Sequence, residues 1–257
     1  MIRAYRSEWL KLTRPGMLLA TGILLLVTPL AAWISMSHIR ATEGGGLTLA
    51  RLAQPDGFLQ LMSRTTDLIV IFALGSVATA VALEHQQGTL RNLLVRQPDR
   101  MKLLAGRLAA ITTWLAATLA VATALAFVSA RLTAPSRGID ASVWLSGSGL
   151  GNTLGAVGGA VLAGVCGGLI GAALALVLRS VAPAIVVGIA WLLPVEGLLV
   201  AAWSGLRPYL PGQALGAISA GGTDVIPFAH SVATAAVWVV GLVGVAALFF
   251  RQRDVTA

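Results

Sequence analysis

The sequence predicts an all-α integral membrane bundle of six transmembrane helices, and three observations carry that prediction. Of the 257 residues, 57% are hydrophobic and only 11% are charged, and the mean hydropathy is +0.85. Because soluble domains carry about 25% charged residues, this chain cannot cover a water-facing surface. Long charge-free runs recur along it, and the basic residues cluster on alternate connections. We therefore expect one transmembrane domain over residues 1–257, with no separate soluble domain.

Six runs are long enough to cross a membrane. A hydrocarbon core of about 30 Å needs about 20 helical residues. The predicted spans are residues 17–37, 65–84, 108–130, 153–177, 182–206 and 231–250. Residues 1–16 are expected to form an amphipathic helix in the membrane interface, because Tyr5 and Trp9 lie among basic residues. A simple basic flank that fixes topology is the alternative.

Lysine and arginine predict the orientation of these spans. With the N-terminus inside, the inner segments hold twelve basic and four acidic residues, and the outer segments hold six of each. The net charge of +8 thus lies on one face, which is the positive-inside pattern. Both termini and residues 85–107 are therefore expected in the cytoplasm. Because this topology explains the positive net charge, binding to nucleic acid is not needed to explain it. High Ala, Gly and Arg content favours a bacterial inner membrane.

Sequence signatures of enzymes are missing from this chain. It has no GxxxxGK[ST] phosphate loop, no HExxH and no GxSxG motif. His38, His85 and His230 lie far apart, so no metal site is expected, and the single Cys166 excludes an intrachain disulfide. We expect no catalytic residue and no cofactor in the chain itself.

The most informative connection is residues 84–107, EHQQGTLRNLLVRQPDRMKLLAGR. Gly88 allows a sharp turn, and Pro98 stops a short helix. That helix has a leucine face and a basic face, formed by Leu90, Leu93, Leu94, Arg91 and Arg96. Because two helical turns are marginal alone in water, the helix must pack on lipid headgroups or on a protein partner.

This connection resembles the inner loop of type-2 ABC transporter permeases, in which an acidic residue ends the second helix and a GT-[LIF]-[RK]-x-L-L motif follows. The matching residues are Glu84, Gly88, Thr89, Leu90, Arg91, Leu93, Leu94, Pro98, Arg100 and Arg107. The opening RSEWLKLTRP and the segment YLPGQAL (209–215) are also similar to that family. The resemblance covers essentially the whole chain.

The resemblance implies the membrane subunit of an ATP-driven exporter. Residues 84–98 would dock into a separate ABC ATPase through Glu84, Gly88, Thr89, Leu90, Arg91, Leu93, Leu94 and Arg96. Two ATPase copies would bind ATP and Mg, and a second permease subunit, identical or different, would complete the assembly. The resemblance also favours an outer re-entrant hairpin over residues 207–229. A surface helix that only anchors the loop on membrane lipids is the alternative for residues 84–98.

Glu196 is the acidic residue that interrupts the fifth span. It follows Arg179 by seventeen residues, or about 25 Å of helix, which places it near the outer interface. One interpretation is a structural carboxylate in an outer loop or short re-entrant helix. The other is an outer gate, formed with Pro211, or a group that attracts cations.

Glycines recur through the fourth span, and most are four residues apart. They are Gly151, Gly155, Gly159, Gly164 and Gly168. Such spacing gathers small residues on a helix face and lets another backbone approach closely. We expect helix packing within one subunit, with a subunit interface as the alternative.

Two other function classes are weighed against the exporter. A stand-alone secondary carrier or channel for a small amphipathic solute would need intramembrane ionisable residues, and the predicted spans offer only Glu196. A membrane-embedded enzyme acting on lipid would need clustered His, Asp or Glu at one interface. The apolar spans favour a lipid-like or amphipathic small molecule, such as an antibiotic or peptide, as the substrate.

Overall fold

A computed structural model describes Tyr5, Trp9 and residues 15–39, 47–86 and 100–252. Six of its helices are long and apolar enough to cross a membrane, and the described residues contain no strand. The predicted all-α bundle of six spans is therefore confirmed. Most of the predicted docking segment, from Gly88 to Arg96, lies outside the described residues.

The helices follow one another in a simple order. They are α1 (Pro15–His38), α2 (Leu49–Leu52), α3 (Gly57–Gln86), α4 (Arg100–Thr133), α5 (Ser148–Leu178), α6 (Val181–Ala190), α7 (Glu196–Ala202), α8 (Pro211–Ser219) and α9 (Phe228–Gln252). A π-helical segment, Trp191–Val195, joins α6 to α7 into one composite crossing. We call the end of the bundle with residues 86 and 100 proximal, and the opposite end distal.

Several helices continue beyond the charge-free runs of the sequence. The helix α3 begins at Gly57, although its predicted span begins at residue 65, and α4 begins at Arg100 instead of residue 108. A helix satisfies its own backbone groups, so it continues through the headgroup region, where charged side chains reach water. As a result, Arg64 and Asp67 lie inside a membrane-length helix, and Glu196 is not the only ionisable residue of the spans.

Helix α5 is the centre of the bundle, and its glycines let neighbouring helices approach. A Cβ at Gly171 would overlap the carbonyl oxygen of Leu74 in α3. A Cβ at Gly168 would lie 2.5 Å from Leu115 Cδ2 of α4. The main-chain atoms of α3 and the leucines of α4 therefore occupy space that any larger residue would need.

The predicted packing glycines of α5 divide into two groups. Gly159 faces Ile218 of α8, while Gly164 and Gly168 accept leucine side chains of α4. Gly151 and Gly155 are exposed, and a Cβ at either would meet nothing within 4 Å. Gly159, Gly164 and Gly168 therefore pack against other helices of the same chain. Gly151 and Gly155, in the distal turns of α5, face away from the bundle.

An aromatic cluster closes the distal end over α3, α4 and α5. Trp144 is 0% exposed, and its Nε1 donates to the carbonyl oxygen of Leu52 at 2.8 Å. Phe58 and Phe127 meet edge to face with ring centroids 5.0 Å apart, and both lie beside Trp144. We call Leu52, Phe58, Phe127 and Trp144 the aromatic cap.

The composite fifth crossing is interrupted by Pro194, which lies in the π-helical segment. Proline lacks the N–H of a regular turn and its ring clashes with the carbonyl four residues earlier. The wider π turn accommodates the ring, and the helix resumes at Glu196 and runs to Ala202. Glu196 thus lies in a helix of the span and not in a loop.

Candidate functional site

The proximal end carries the two helices that flank the predicted docking segment. Arg107 of α4 is only 5% exposed, and its Nη2 donates to the carbonyl oxygens of Ala80 and Val81 at 3.4 and 3.5 Å. These bonds tie α4 to the last turns of α3, the helix on which the predicted contact Glu84 lies. The two ends of the connection over residues 87–99 are therefore held together.

Tyr5, one of the two described residues before residue 15, lies against the proximal half of α4. Tyr5 and Trp9 have helical backbone and form an edge-to-face ring pair with centroids 6.3 Å apart. The hydroxyls of Tyr5 and Thr113 are 3.1 Å apart. Both aromatic residues also pack on the apolar core.

The distal end holds a buried carboxylate. Glu196 is 0% exposed, and its two oxygens accept hydrogen bonds from the N–H groups of Gly212 at 2.9 Å and Gln213 at 3.1 Å. These donors belong to the first turn of α8, where backbone N–H groups have no partner within the helix. The partial positive charge of that helix end stabilises the carboxylate. We call Glu196, Gly212 and Gln213 the carboxylate latch.

Pro211 and Gly212, at the start of α8, have the backbone and size properties that the latch needs. Pro211 occupies the first position of α8, where the missing N–H costs nothing and the fixed φ suits a helix start. A Cβ at Gly212 would lie 2.7 Å from Glu196 Oε2 and 3.0 Å from Leu192 O. Glycine at residue 212 therefore allows the carboxylate to reach the backbone.

The segment that precedes α8 is held from the other side by α9. Trp238 Nε1 donates to Tyr209 O at 2.8 Å, and Thr234 Oγ1 donates to Pro208 O at 3.0 Å. His230 Nε2 lies 3.2 Å from the same Pro208 oxygen. The distal segment is thus fixed between the fifth and sixth crossings, by the latch at α8 and by α9 before it.

A cavity of about 220 Å³ lies next to the latch, between α5, the fifth crossing, α8 and α9. All of its lining residues are apolar or aromatic: Ile170, Leu174, Val187, Gly188, Trp191, Leu192, Pro211, Trp238 and Leu242. Such a lining suits a hydrocarbon group and offers nothing to a charged one.

The structure brings together two of the predicted site residues and leaves others apart. Glu196 accepts a hydrogen bond from Gly212, the residue that follows Pro211 at the start of α8. Among the described residues, no three His, Cys, Asp or Glu side chains gather as metal ligands.

Three residues of these sites carried little or no signal in the sequence. Arg107 matched the loop motif and counted as an inner cation, but nothing indicated that it would be buried against α3. The backbone donors of Gly212 and Gln213 have no sequence signature beyond the Pro-Gly pair at residues 211 and 212.

Comparison with known proteins gives one family. A family model described as ABC-2 family transporter protein matches residues 4–194. That match includes α1 to α6 and the connection between α3 and α4, and it ends two residues before Glu196. No curated protein matches the chain.

Proposed function

Because the chain belongs to the ABC-2 family of transporter proteins, we propose that it is the permease subunit of an ATP-driven exporter, coupled to a separate ATPase through residues 84–98. Family membership makes the chain a membrane permease of an ABC transporter, and it confirms the resemblance drawn from the loop. Export and coupling through this loop are our proposals.

The observation that carries the proposal is the family match across the connection that contains the docking segment. The match covers residues 4–194 of a chain with six membrane-length helices. The sequence has no phosphate-binding loop, so a partner subunit must supply the ATP and Mg site. ABC-2 permeases generally work with an ABC ATPase.

Arg107 supports a mechanical role for the proximal end. Since it bonds α4 to the carbonyl oxygens of Ala80 and Val81, a push on the docking segment would move α3 and α4 as one body. The main chain of α3 at Leu74 lies directly against Gly171 of α5, and Val70 of α3 lies against Gly167. Motion at the ATPase would in this way reach the centre of the bundle.

The distal latch supports a gate at the opposite end. Helix α8 would cover the exit in the resting state, held by the two hydrogen bonds to Glu196. The π-helical turn before Glu196 would serve as the joint, because such turns interrupt the regular hydrogen-bond ladder. Opening would require the carboxylate to release both backbone donors together.

The cavity supports the proposed substrate class. Its lining of aliphatic and aromatic side chains suits the hydrocarbon part of a lipid-like or amphipathic molecule. Pro211 and Leu192 belong both to this lining and to the surroundings of the latch, so an occupant would touch the elements that hold α8.

The test is to co-express the tagged chain with candidate ABC ATPase subunits from the same genome, then to measure co-purification and ATP hydrolysis in proteoliposomes. The Leu93→Ala/Leu94→Ala double variant removes the leucine face, and we expect about a tenfold loss of ATPase capture, because interface energy concentrates in few apolar anchors. Arg91→Glu should weaken capture in a salt-dependent way.

Arg131→Glu is the matched control, since this arginine is exposed at the distal end of α4 and changes charge by the same amount. It should leave ATPase capture unchanged. Full capture by the double leucine variant would refute docking through residues 84–98.

An ion-coupled carrier is the second candidate, because Asp67 adds an ionisable residue to a span. Proteoliposomes that hold the chain alone, with an ion gradient and no ATP, separate the two. Solute movement under those conditions would favour the carrier, and movement that needs ATPase and ATP would favour the exporter.

A further inference from the structure

The apolar cavity beside the latch lies deep in the membrane. On α9, its lining residues Trp238 and Leu242 follow Phe228, the distal start of the helix, at about 15 and 21 Å along the axis. On α5, Ile170 lies about 12 Å before Leu178, the proximal end of that helix. Because a hydrocarbon core is about 30 Å thick, the cavity lies near its middle, where the surrounding lipid consists of acyl chains.

The cavity opens to one side of the bundle, between the fifth and sixth crossings. Helix α6 packs on α3 and α5, whereas α9 packs mainly on α5 and α8, so a gap is left between α6 and α9. Trp191 and Trp238 bridge this gap with ring centroids 6.3 Å apart. One helical turn closer to the proximal end, Val187 and Leu242 border it. We call Val187, Trp191, Trp238 and Leu242 the side opening.

The side opening is continuous with the lipid-facing surface of the fifth crossing. Val187 is 47% exposed and Trp191 is also exposed, on a crossing long enough to span the membrane. The back wall of the cavity is closed, because Ile170 on α5 is only 6% exposed. In the part of the chain that the structure describes, lipid outside the bundle can therefore touch the front of the cavity, while Ile170 is reached only from inside it.

The lining of the cavity suits a hydrocarbon chain and not a headgroup. Its side chains are aliphatic except for two indoles, and the polar groups of both have partners outside the lining. Trp238 Nε1 donates to Tyr209 O, and the Trp191 side chain interacts with the Glu196 carboxylate. The volume of about 220 Å³ exceeds that of an apolar cavity of about 150 Å³ that takes up benzene. A charged headgroup would find no partner there.

We propose that this cavity binds one acyl chain of a bilayer phospholipid, which enters through the side opening while its headgroup stays at the membrane surface. Such a chain already lies in hydrocarbon, so leaving water contributes nothing to its binding. It gains dispersion contacts with lining atoms that would otherwise face a void.

This site deepens the proposed substrate class and rests on the proposed function in that respect, because a lipid-like substrate would enter by the same route. Binding of an acyl chain needs neither the ATPase nor ATP. It can therefore be measured separately from coupling and from transport.

The test uses the full-length chain in vesicles of phosphatidylethanolamine and phosphatidylglycerol. A small fraction of the phosphatidylglycerol carries a photoreactive diazirine near the end of one acyl chain, and mass spectrometry measures the labelling of each residue after illumination. Ile170 is the reporter, because lipid outside the bundle does not reach it. Ile69 of α3 is the internal control, since it is also a buried isoleucine but does not line the cavity. We expect about tenfold more label on Ile170, because close-packed residues leave no room for a probe.

Val187→Trp places a large ring at the side opening. It should lower Ile170 labelling about tenfold, because the bulkier residue leaves the acyl chain no path. Val186→Trp is the matched control, since Val186 is exposed on the same helix and does not line the cavity. It should be labelled as the wild type is. Equal labelling of Ile170 in the two variants would overturn the proposal, as would wild-type labelling of Ile170 no higher than that of Ile69.

A second pair of variants covers the case in which Val187→Trp fails to insert. Leu242→Trp narrows the same opening from α9, and Leu248→Trp, at an exposed residue of α9 outside the lining, is its control. Equal Ile170 labelling in this pair would again overturn the proposal.

A last comparison identifies the source of the chain. Labelling of Ile170 by an added single-chain diazirine amphiphile, with no labelling by the phospholipid, would overturn a bilayer lipid as the occupant. Loss of Ile170 labelling with ATPase capture intact would refute only this site. Ile170 labelling that persists while ATPase capture is absent would support the site and refute only the proposed coupling.

Discussion

The distal end is closed in two places, and the two closures use different chemistry. In the aromatic cap, the indole of Trp144, in the α4–α5 connection, bonds to α2 and packs on Phe58 of α3. In the carboxylate latch, Glu196 joins α7 to α8. In both, a glycine makes room for the tie. A Cβ at Gly57 would lie 2.7 Å from Trp144 Nε1, and a Cβ at Gly212 would lie 2.7 Å from Glu196 Oε2.

The two closures differ in how many side chains hold them. Trp144 spreads its contacts over two phenylalanine rings, so the cap would persist after the loss of its one hydrogen bond. Glu196 concentrates the latch in one carboxylate, and both bonds break when that group turns away. One half of the distal end is therefore held by contacts among several rings, whereas the other depends on a single side chain, as the proposed gate requires.

The largest expected effect is on the aromatic cap. Trp144→Ala should lower the free energy of unfolding by about 3–5 kcal/mol, because it leaves a large cavity among buried rings. Thermal unfolding in detergent measures the change. Trp203→Ala is the matched control, since Trp203 is 66% exposed, and it should change stability little. Equal effects of the two variants would mean that the cap does not hold the distal end together.

An intermediate effect is expected at the latch. Glu196→Gln keeps the shape but turns an amide N–H₂ toward a backbone donor, which should cost about 1–3 kcal/mol. The gate proposal further predicts altered transport and altered ATPase coupling, both measured in proteoliposomes. Asp224→Asn removes an exposed carboxylate as the control. If Glu196→Gln transports and couples as the wild type does, Glu196 has a structural role only.

The smallest effect is expected at the turn that leads into the cap. Asp140 accepts a hydrogen bond from Ser142 N at 2.9 Å, and its bonding to Ser142 holds the pKa of this carboxyl below its usual 3.8. Because the folded-state pKa is lowered, the stabilisation is present above 3.8 and is lost as pH falls through the folded value.

Asp140→Asn should therefore melt slightly below the wild type at neutral pH and together with it once the carboxyl is protonated. Melting curves across that pH range measure the difference, with Asp224→Asn as the control. A difference that persists at the acidic end would assign the effect to packing and not to the charge.

The six spans could be predicted because hydrophobicity along the chain is enough to find them. Their limits could not, since Gly57 and Arg100 begin helices in charged or polar sequence where backbone bonding continues. For the same reason the charge count assigns Asp67 to the six outer acidic residues, although it lies within α3. Glycine spacing predicted packing on α5, but only the fold distinguishes Gly164, which touches Leu119, from the open Gly155.

The two distal closures also differ in how far the sequence alone could predict them. Glu196 was conspicuous because a carboxylate is rare in an apolar span, yet its donors are backbone groups that the sequence does not mark. Trp144 gave no distinctive signal among seven tryptophans, because its partner is the carbonyl oxygen of Leu52, which lies 92 residues earlier.

The side of the membrane that carries the docking segment decides whether a cytoplasmic ATPase can bind it. Asn92→Cys and Asp224→Cys are made separately in a Cys166→Ala background, and sealed vesicles of both orientations are treated with a membrane-impermeant maleimide. We expect Cys at residue 92 to react only in inverted vesicles and Cys at residue 224 only in right-side-out vesicles. Labelling of residue 92 in right-side-out vesicles would contradict it, because no cytoplasmic ATPase could then reach the segment.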